Sequence, residues 1–561
     1  MSNASSPNLY RAVVMDQVPR LLGLLDRAPA SPTYGCFDRN YWHLKLVTDF
    51  PGATYQQAVL SLAWLATLPG DRAGMVESDQ TAEWARAAMR FWASIQNRDG
   101  SFNEWYAQEH SYCPTAFTAF AVSEALLLLR ERLPAGDATA VGYALERAGR
   151  WLAQEYNGWV ANQNMAALNA LHNIWLITAN KEFREAAERK LALILRGQDA
   201  EGWFPEYGGA DAGYTLVATD LLAHYWTKTN DARVYDALDR LLRFLSSLIQ
   251  PDGSVADCGS RATQHVLPYG LELLAHAGHQ PADQILSGLH AAIAAGRGLT
   301  PSRVDDRYFA YFYINSYVGA FCACSGGHRE WNGAQKTDTV YRNAGLGVFS
   351  RGSRTAVVSF KRNNLLRVFI NGTLAYSDAG YLVGLDNKGQ GVSCGFDPKQ
   401  TWSMSGDDEL LCVRTSGGFY GSPPAQWLVL PLKMWGTIAL RSAAVAAWFN
   451  KWLKSREVAA PRRVPLILER EVRIERAVIT VTDHIVRRGP VKVTHLSPIE
   501  EGNVTYSPSA GYYTSRSAHR LGSYMDADAL TALFVSRGEV RVTKTLTVDG
   551  RGETTLKVEW Q

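Results

Sequence analysis

The chain has 561 residues, enough for two large domains or three to four of average size. Apolar residues make up 47% and charged residues 20%, an ordinary globular balance that excludes a disordered or fibrous protein. The 57 basic and 54 acidic side chains leave a net charge of +3, with no field to select nucleic acid or an anionic membrane surface.

From the start of the chain, no basic segment followed by an apolar run marks a signal peptide, so a cytoplasmic protein is expected. No apolar run approaches 18 residues, so no membrane span is expected either. Residues up to 330 read as helices. Gln56–Leu65, Thr118–Arg130, Met165–Thr178, Thr215–Trp226 and Tyr235–Leu248 are rich in Leu and Ala, and several are apolar on most faces, as helices packed between two layers must be. A Gly-containing turn punctuates them: Gln96 to Phe102, Gln198 to Phe204, Gln250 to Val255, and a degenerate version at Tyr156 to Val160. Their glycines, 100, 158, 202 and 253, are spaced by 58, 44 and 51 residues, one helical hairpin each. Hairpins repeated at that period and closed into a ring make an (α/α) toroid with a cleft at one end.

The seven cysteines are odd in number and irregular in spacing, which argues against a disulfide framework. Cys322, Cys324 and His328 lack the second ligand pair of a zinc site, so neither metal nor cofactor is predicted. Beyond Ser325–His328 the pattern becomes β-branched and alternating: Thr355–Phe360, Leu366–Ile370, Ala477–Thr482, Val491–Leu496, Glu539–Val542 and Thr555–Trp560, with turns at Asn371-Gly372 and Asp549-Gly550. The expected architecture is a multidomain α and β chain, an N-terminal (α/α) toroid over 1–330 followed by a C-terminal antiparallel β-sandwich over 331–561. Ile438–Leu453 reads as a helical insertion.

The 17 Trp, 25 Tyr and 19 Phe fit either a large core or a sugar-binding cleft, where flat sugar faces stack on rings. Three segments carry a family resemblance: Gly35–Lys45; Gly100–Tyr106 with Glu109-His110-Ser111; and Gly202–Tyr214 ahead of Asp220. Together with the order of toroid and sandwich, they resemble the heparinase II/III-like polysaccharide lyases. The resemblance implies cleavage of a uronate-containing acidic polysaccharide or oligosaccharide by β-elimination. In such lyases a Gly-rich acidic loop precedes a helix that begins with the catalytic tyrosine, the slot of Tyr214. An Asn neutralises the uronate carboxylate, and Asn162 or Asn164 stands at the corresponding place. Elimination needs a base for the C5 proton and an acid for the leaving oxygen, for which Tyr214, His265 and His110 are candidates. Arg261 is a candidate partner for the carboxylate. Trp42, Trp105 and Trp203, on or near turns, are candidate stacking surfaces, with Glu109, Tyr207 and Arg39 as further substrate contacts; Arg39, Lys45 and Arg261 would supply local positive charge.

The sequence departs from the family pattern. Gln163 or Met165 stands where a His follows the Asn, Thr215 replaces a His after the tyrosine, and Arg362–Arg367 occupies the place of the His-x-His zinc segment of some members. Other readings remain: a uronyl C5-epimerase, which moves the same proton; a glycoside hydrolase using two of Glu104, Glu109, Glu206 and Asp211; or a non-catalytic glycan-binding protein of a surface-polysaccharide pathway. A terpene cyclase lacks its Asp-x-Asp-Asp motif here.

Overall fold

The structure is a computed structural model, and it describes residues 6–43, 48–69, 77–256, 258–324, 326, 329–333, 338–386, 389–407, 409–421, 442, 445, 448–449, 462–500 and 518–561. The Ile438–Leu453 insertion falls almost wholly outside these residues, as do Lys45 and His328.

Two kinds of helix alternate along the first part of the chain. The helices Val59–Thr67, Tyr112–Leu129, Ala161–Thr178, Ala212–Thr229, Tyr269–His276 and Ile314–Ala323 each contact the next, and the last returns to the first, which closes a ring. Most of them are buried on nearly all sides; Ala161–Thr178 has an unbroken buried run from Asn162 to Ile174. Around them lie Ser78–Ser94, Ala135–Gln154, Lys181–Arg196, Ala232–Ser246 and Gln280–Ala294, with Ser6–Leu24 against the last inner helix. An outer helix buries one stripe only: Val234, Ala237, Leu238, Leu241, Leu242, Phe244 and Leu245 in Ala232–Ser246. That is the three- and four-residue spacing of an amphipathic surface helix. Tyr112–Arg132 is long and apolar enough to cross a membrane by length and composition alone, and 83% of its apolar window is buried inside the protein, as in a core helix.

The repeated turn has a specific physical task. Gly100, Gly202 and Gly253 adopt positive φ, and each lies so close to a carbonyl of the following outer helix (Arg147, Arg240 and Gly288) that a Cβ would not fit. In the first two of these turns the glutamine that opens the turn also closes it. Gln96 Nε2 donates to the carbonyls of Gly100 and Ala144 at 2.9 Å each. Gln198 Nε2 donates to those of Gly202 at 2.8 Å and Ala237 at 2.9 Å. The Gly158 turn does not belong to this set: its φ is not positive and nothing crowds it. The matching device is Gly35, at φ +95° against Ala87, with Gln56 Nε2 donating to Gly35 at 3.0 Å and Ala88 at 3.2 Å.

From Thr339 onward the chain forms two antiparallel sheets, one of five strands within Thr339–Asp378 and one of nine strands reaching Trp560. Phe349, Val358, Leu366 and Val368 of the first sheet meet Val413, Val472, Ile479 and Leu546 of the second in a shared apolar layer, the arrangement of a sandwich. Within it lies a fully buried ionic cluster. Arg470 pairs with Asp483 at 2.6 Å and Asp378 at 2.9 Å, and Lys544 with Asp378 at 2.6 Å and Asp483 at 2.8 Å. Tyr376 and Tyr381 each donate to one of the carboxylates. Sandwich and toroid touch directly: Ser359 Oγ donates to the Cys258 carbonyl at 2.7 Å, and Tyr341 and Ser247 share a 2.6 Å hydrogen bond.

Candidate active site

The loops that enter the inner helices are joined side by side at one end of the ring. Ala53 N bonds to the Asn103 carbonyl, Ala161 N to that of Pro205, and Ser260 N to that of Ala210. His265 forms a bridge with Leu299. Positive N-terminal ends of several helices therefore gather where these loops meet.

Tyr214 opens the Ala212–Thr229 helix. Asp211 caps that helix by accepting from Tyr214 N at 3.1 Å. The same carboxylate accepts from Arg261 N at 2.9 Å, Thr263 N at 3.3 Å and the Thr263 hydroxyl, fastening the Arg261–His265 segment to the helix start. Gly213 makes the approach feasible: a Cβ there would stand 2.8 Å from His265 N and closer still to Thr263 Oγ1. As a result the His265 ring lies edge-on to the Tyr214 ring, centroids 5.4 Å apart. His265 shares a 2.7 Å hydrogen bond through Nδ1 with Tyr313, while its buried Nε2 has no partner among the described residues. Burial drives the imidazole pKa down from its ordinary 6.5 to about 3, so it is neutral. Burial also holds the Tyr214 hydroxyl well above its ordinary range, with Arg261 pulling the other way.

Arg261 lies 4.0 Å over the Tyr207 ring, whose centroid is 5.6 Å from that of Tyr214. Opposite stands an aromatic segment that sequence reasoning passed over. Phe309–Tyr313 is a single wide helical turn leading into Ile314–Ala323, a geometry often found at functional sites. Just before it, Tyr308 lies beside the Tyr214 hydroxyl and feels both Arg261 and Arg307, which oppose the upward push of burial on its own hydroxyl. The dense run Tyr308-Phe309-Ala310-Tyr311-Phe312-Tyr313 after Asp305-Asp306-Arg307 was the available signal; it has neither heptad nor strand alternation.

The two asparagines differ. Asn164 is wholly engaged: its Oδ1 accepts from Tyr112 at 2.8 Å and Asn157 N at 3.0 Å, and its Nδ2 donates to the Asn157 carbonyl at 2.6 Å. Asn162 instead faces Glu206, donating from its backbone at 2.9 Å and from Nδ2 at 2.6 Å. Glu206 is buried beside Asp211, and burial holds its carboxyl well above the ordinary range.

The remaining predicted residues scatter. His110 is bound through Nδ1 to Asp99 at 2.6 Å and Ser101 at 2.9 Å, within the Gly100 turn. Glu109 is buried and accepts from Glu104 N and Trp105 N at 2.7 Å each. Trp105 is 63% exposed. Trp203 is 8% exposed and part of the toroid core, so it is no open stacking surface. Trp42 donates to the Leu24 carbonyl at 2.7 Å, and Arg39 is exposed on the short Arg39–Trp42 helix. Among the described residues no three His, Cys, Asp or Glu side chains gather as a metal would need.

No protein-family model matches the sequence, and no curated protein matches it. Solved structures do. The chondroitin AC lyase of Streptomyces coelicolor A3, solved with chondroitin sulphate, superimposes with a TM-score of 0.52 at 10% identity, covering 89% of this chain and 69% of the lyase. The Paenibacillus xanthan lyase gives 0.50 at 9% identity, covering 88% of this chain and 46% of that one. The chain thus has a polysaccharide-lyase-like fold, a helical toroid followed by an antiparallel β-sandwich.

Proposed function

We propose that the protein is a polysaccharide lyase that cleaves a uronate-containing acidic glycan by β-elimination. The observation that carries this reading is the meeting of Tyr214, His265, Tyr308 and Arg261 where the loops join. Elimination requires the uronate carboxylate to be neutralised so that its C5 proton becomes acidic; Arg261 and the Asn162 amide are the groups for this. His265 is neutral, and in the tautomer that gives Nδ1–H to Tyr313 it offers the Nε2 lone pair to that proton. The entering carboxylate raises the imidazole pKa, because a nearby negative charge favours the imidazolium. Tyr214, kept protonated by burial, delivers its proton to the leaving oxygen. Two groups whose environments push their pKa values apart are suited to opposite proton roles.

Hydrolysis draws no comparable support. Each carboxylate that it would use is engaged: Glu104 with Arg307, Glu109 with two backbone N–H groups, Glu206 with Asn162, and Asp211 with the Thr263 and Tyr214 backbone. The test is incubation with a panel of uronate polymers, followed by ultraviolet absorbance and product mass. A lyase makes a conjugated, absorbing chain end; a product heavier by one water and without absorbance contradicts the reading.

A further inference from the structure

The side chain that none of the proposed chemistry uses is Arg307. It stands one residue ahead of Tyr308, at the head of the aromatic segment. Its guanidinium lies 4.0 Å over the Trp105 ring and 5.9 Å from the Tyr308 centroid. Nη2 is paired with the Glu104 carboxylate, whose side chain is only 4% exposed. The Glu104–Trp105 turn is itself held from below by Glu109. The guanidinium is therefore fixed by an indole on one face and a carboxylate at one nitrogen. Nε–H and Nη1–H have no partner among the described residues and Nη2 keeps a second N–H, so one edge of the fork, Nη2 with either Nε or Nη1, remains for a two-pronged contact; the side chain keeps 22% of its surface exposed. An arginine whose fork is fixed in advance loses little entropy on binding a carboxylate or sulfate through two parallel bonds. Trp105, 63% exposed, keeps an open face beside that fork for a sugar ring.

We propose that Arg307 and Trp105 form a second acidic-sugar subsite, so that the glycan carries an anionic group, carboxylate or sulfate, on the sugar next to the one that reacts. This deepens the proposed lyase reading and rests on it for the identity of the reacting sugar. Two guanidiniums, Arg261 and Arg307, act on Tyr308 from different loops, and a substrate charged on neighbouring sugars satisfies both. The local pair also answers how a chain of net charge +3 attracts a polyanion without a global field.

The experiment measures equilibrium binding of oligosaccharides to the full chain carrying Tyr214→Phe, alone and with Arg307→Lys or Trp105→Ala. The probes are a uronate homopolymer fragment, a sulfated fragment with uronate at alternate sugars, and a fragment in which uronate alternates with a neutral sugar. Lysine keeps the charge opposite Glu104, so the thermal midpoint stays unchanged, but it loses the two-pronged contact. Arg307→Lys is expected to weaken binding about ten- to hundredfold for fragments charged on both sugars, and not for the alternating neutral one. Loss with the homopolymer alone assigns a carboxylate; loss with the sulfated fragment alone assigns a sulfate. Unchanged binding, an equal loss with all three fragments, or no binding of any fragment overturns the proposal. A wild-type chain that makes no absorbing product while Arg307→Lys loses binding selectively overturns the lyase reading and leaves the subsite standing. Turnover with binding indifferent to Arg307 overturns the subsite alone.

Discussion

His265 is neutral in the folded chain because burial lowers its pKa to about 3, whereas an exposed histidine has an ordinary value of 6.5. As pH falls below 6.5 the unfolded state takes up a proton that the folded state refuses. Stability contributed by the buried neutral ring is thus complete above pH 6.5 and is lost as pH falls toward 3. The shift corresponds to an effect of about 5 kcal/mol at the acid end. Thermal unfolding of wild type and His265→Asn between neutral pH and about pH 4 checks this. The variant should show a shallower decline, with His172, lowered to about 4 by burial, and His279, also lowered by burial, among the groups that supply the remaining slope. Identical slopes would contradict the assignment. At this scale the sequence marked Tyr214, His265 and Arg261, because each stands beside a turn that could be read. It did not separate Asn162 from Asn164, since which amide is spent on the Asn157 backbone depends on the fold of the turn. Nor did it show that Trp203 is core, because a tryptophan near a turn points inward or outward according to packing alone.

The helix start at Ala212 works because Asp211 and Gly213 act together. Asp211 fastens the Arg261–Thr263 backbone, and Gly213 leaves room for it. Gly213→Ala should force that segment away from the helix, parting His265 from Tyr214. We expect a loss of about 1–3 kcal/mol of stability together with a fall in activity larger than that loss explains. Chemical denaturation and steady-state kinetics read the two separately; full activity in the variant would show that the approach is not needed. The helical hairpins were legible as elements because Leu, Ala and Gly punctuation is local. The Gly35–Gln56 turn was not, since its glycine and glutamine are 21 residues apart and meet only in the folded ring. The aromatic turn at Phe309–Tyr313 escaped for a related reason: a wide helical turn leaves no periodic mark in the sequence.

The molecule joins a ring held by apolar burial to a sandwich that contains a cluster of four mutually paired, fully buried charges. Asp378, Asp483, Arg470 and Lys544 balance to zero, and every ion is wholly inaccessible. Removing one partner strands an uncompensated charge, so Lys544→Met should cost the sandwich about 3–5 kcal/mol in unfolding experiments. A cost below about 1 kcal/mol would mean that the remaining charge is relieved by water or protonation. The order of toroid and sandwich was readable from the change of period near residue 330, whereas this cluster was not: its members lie on four different strands. The central claim is the β-elimination itself. Its most direct measurement is the ultraviolet absorbance of uronate polymers incubated with wild type and with Tyr214→Phe. The account predicts a steady rise with wild type and a rate lower by about 10²–10⁴-fold with the variant. No rise with any uronate polymer, or an equal rise with both proteins, would contradict it.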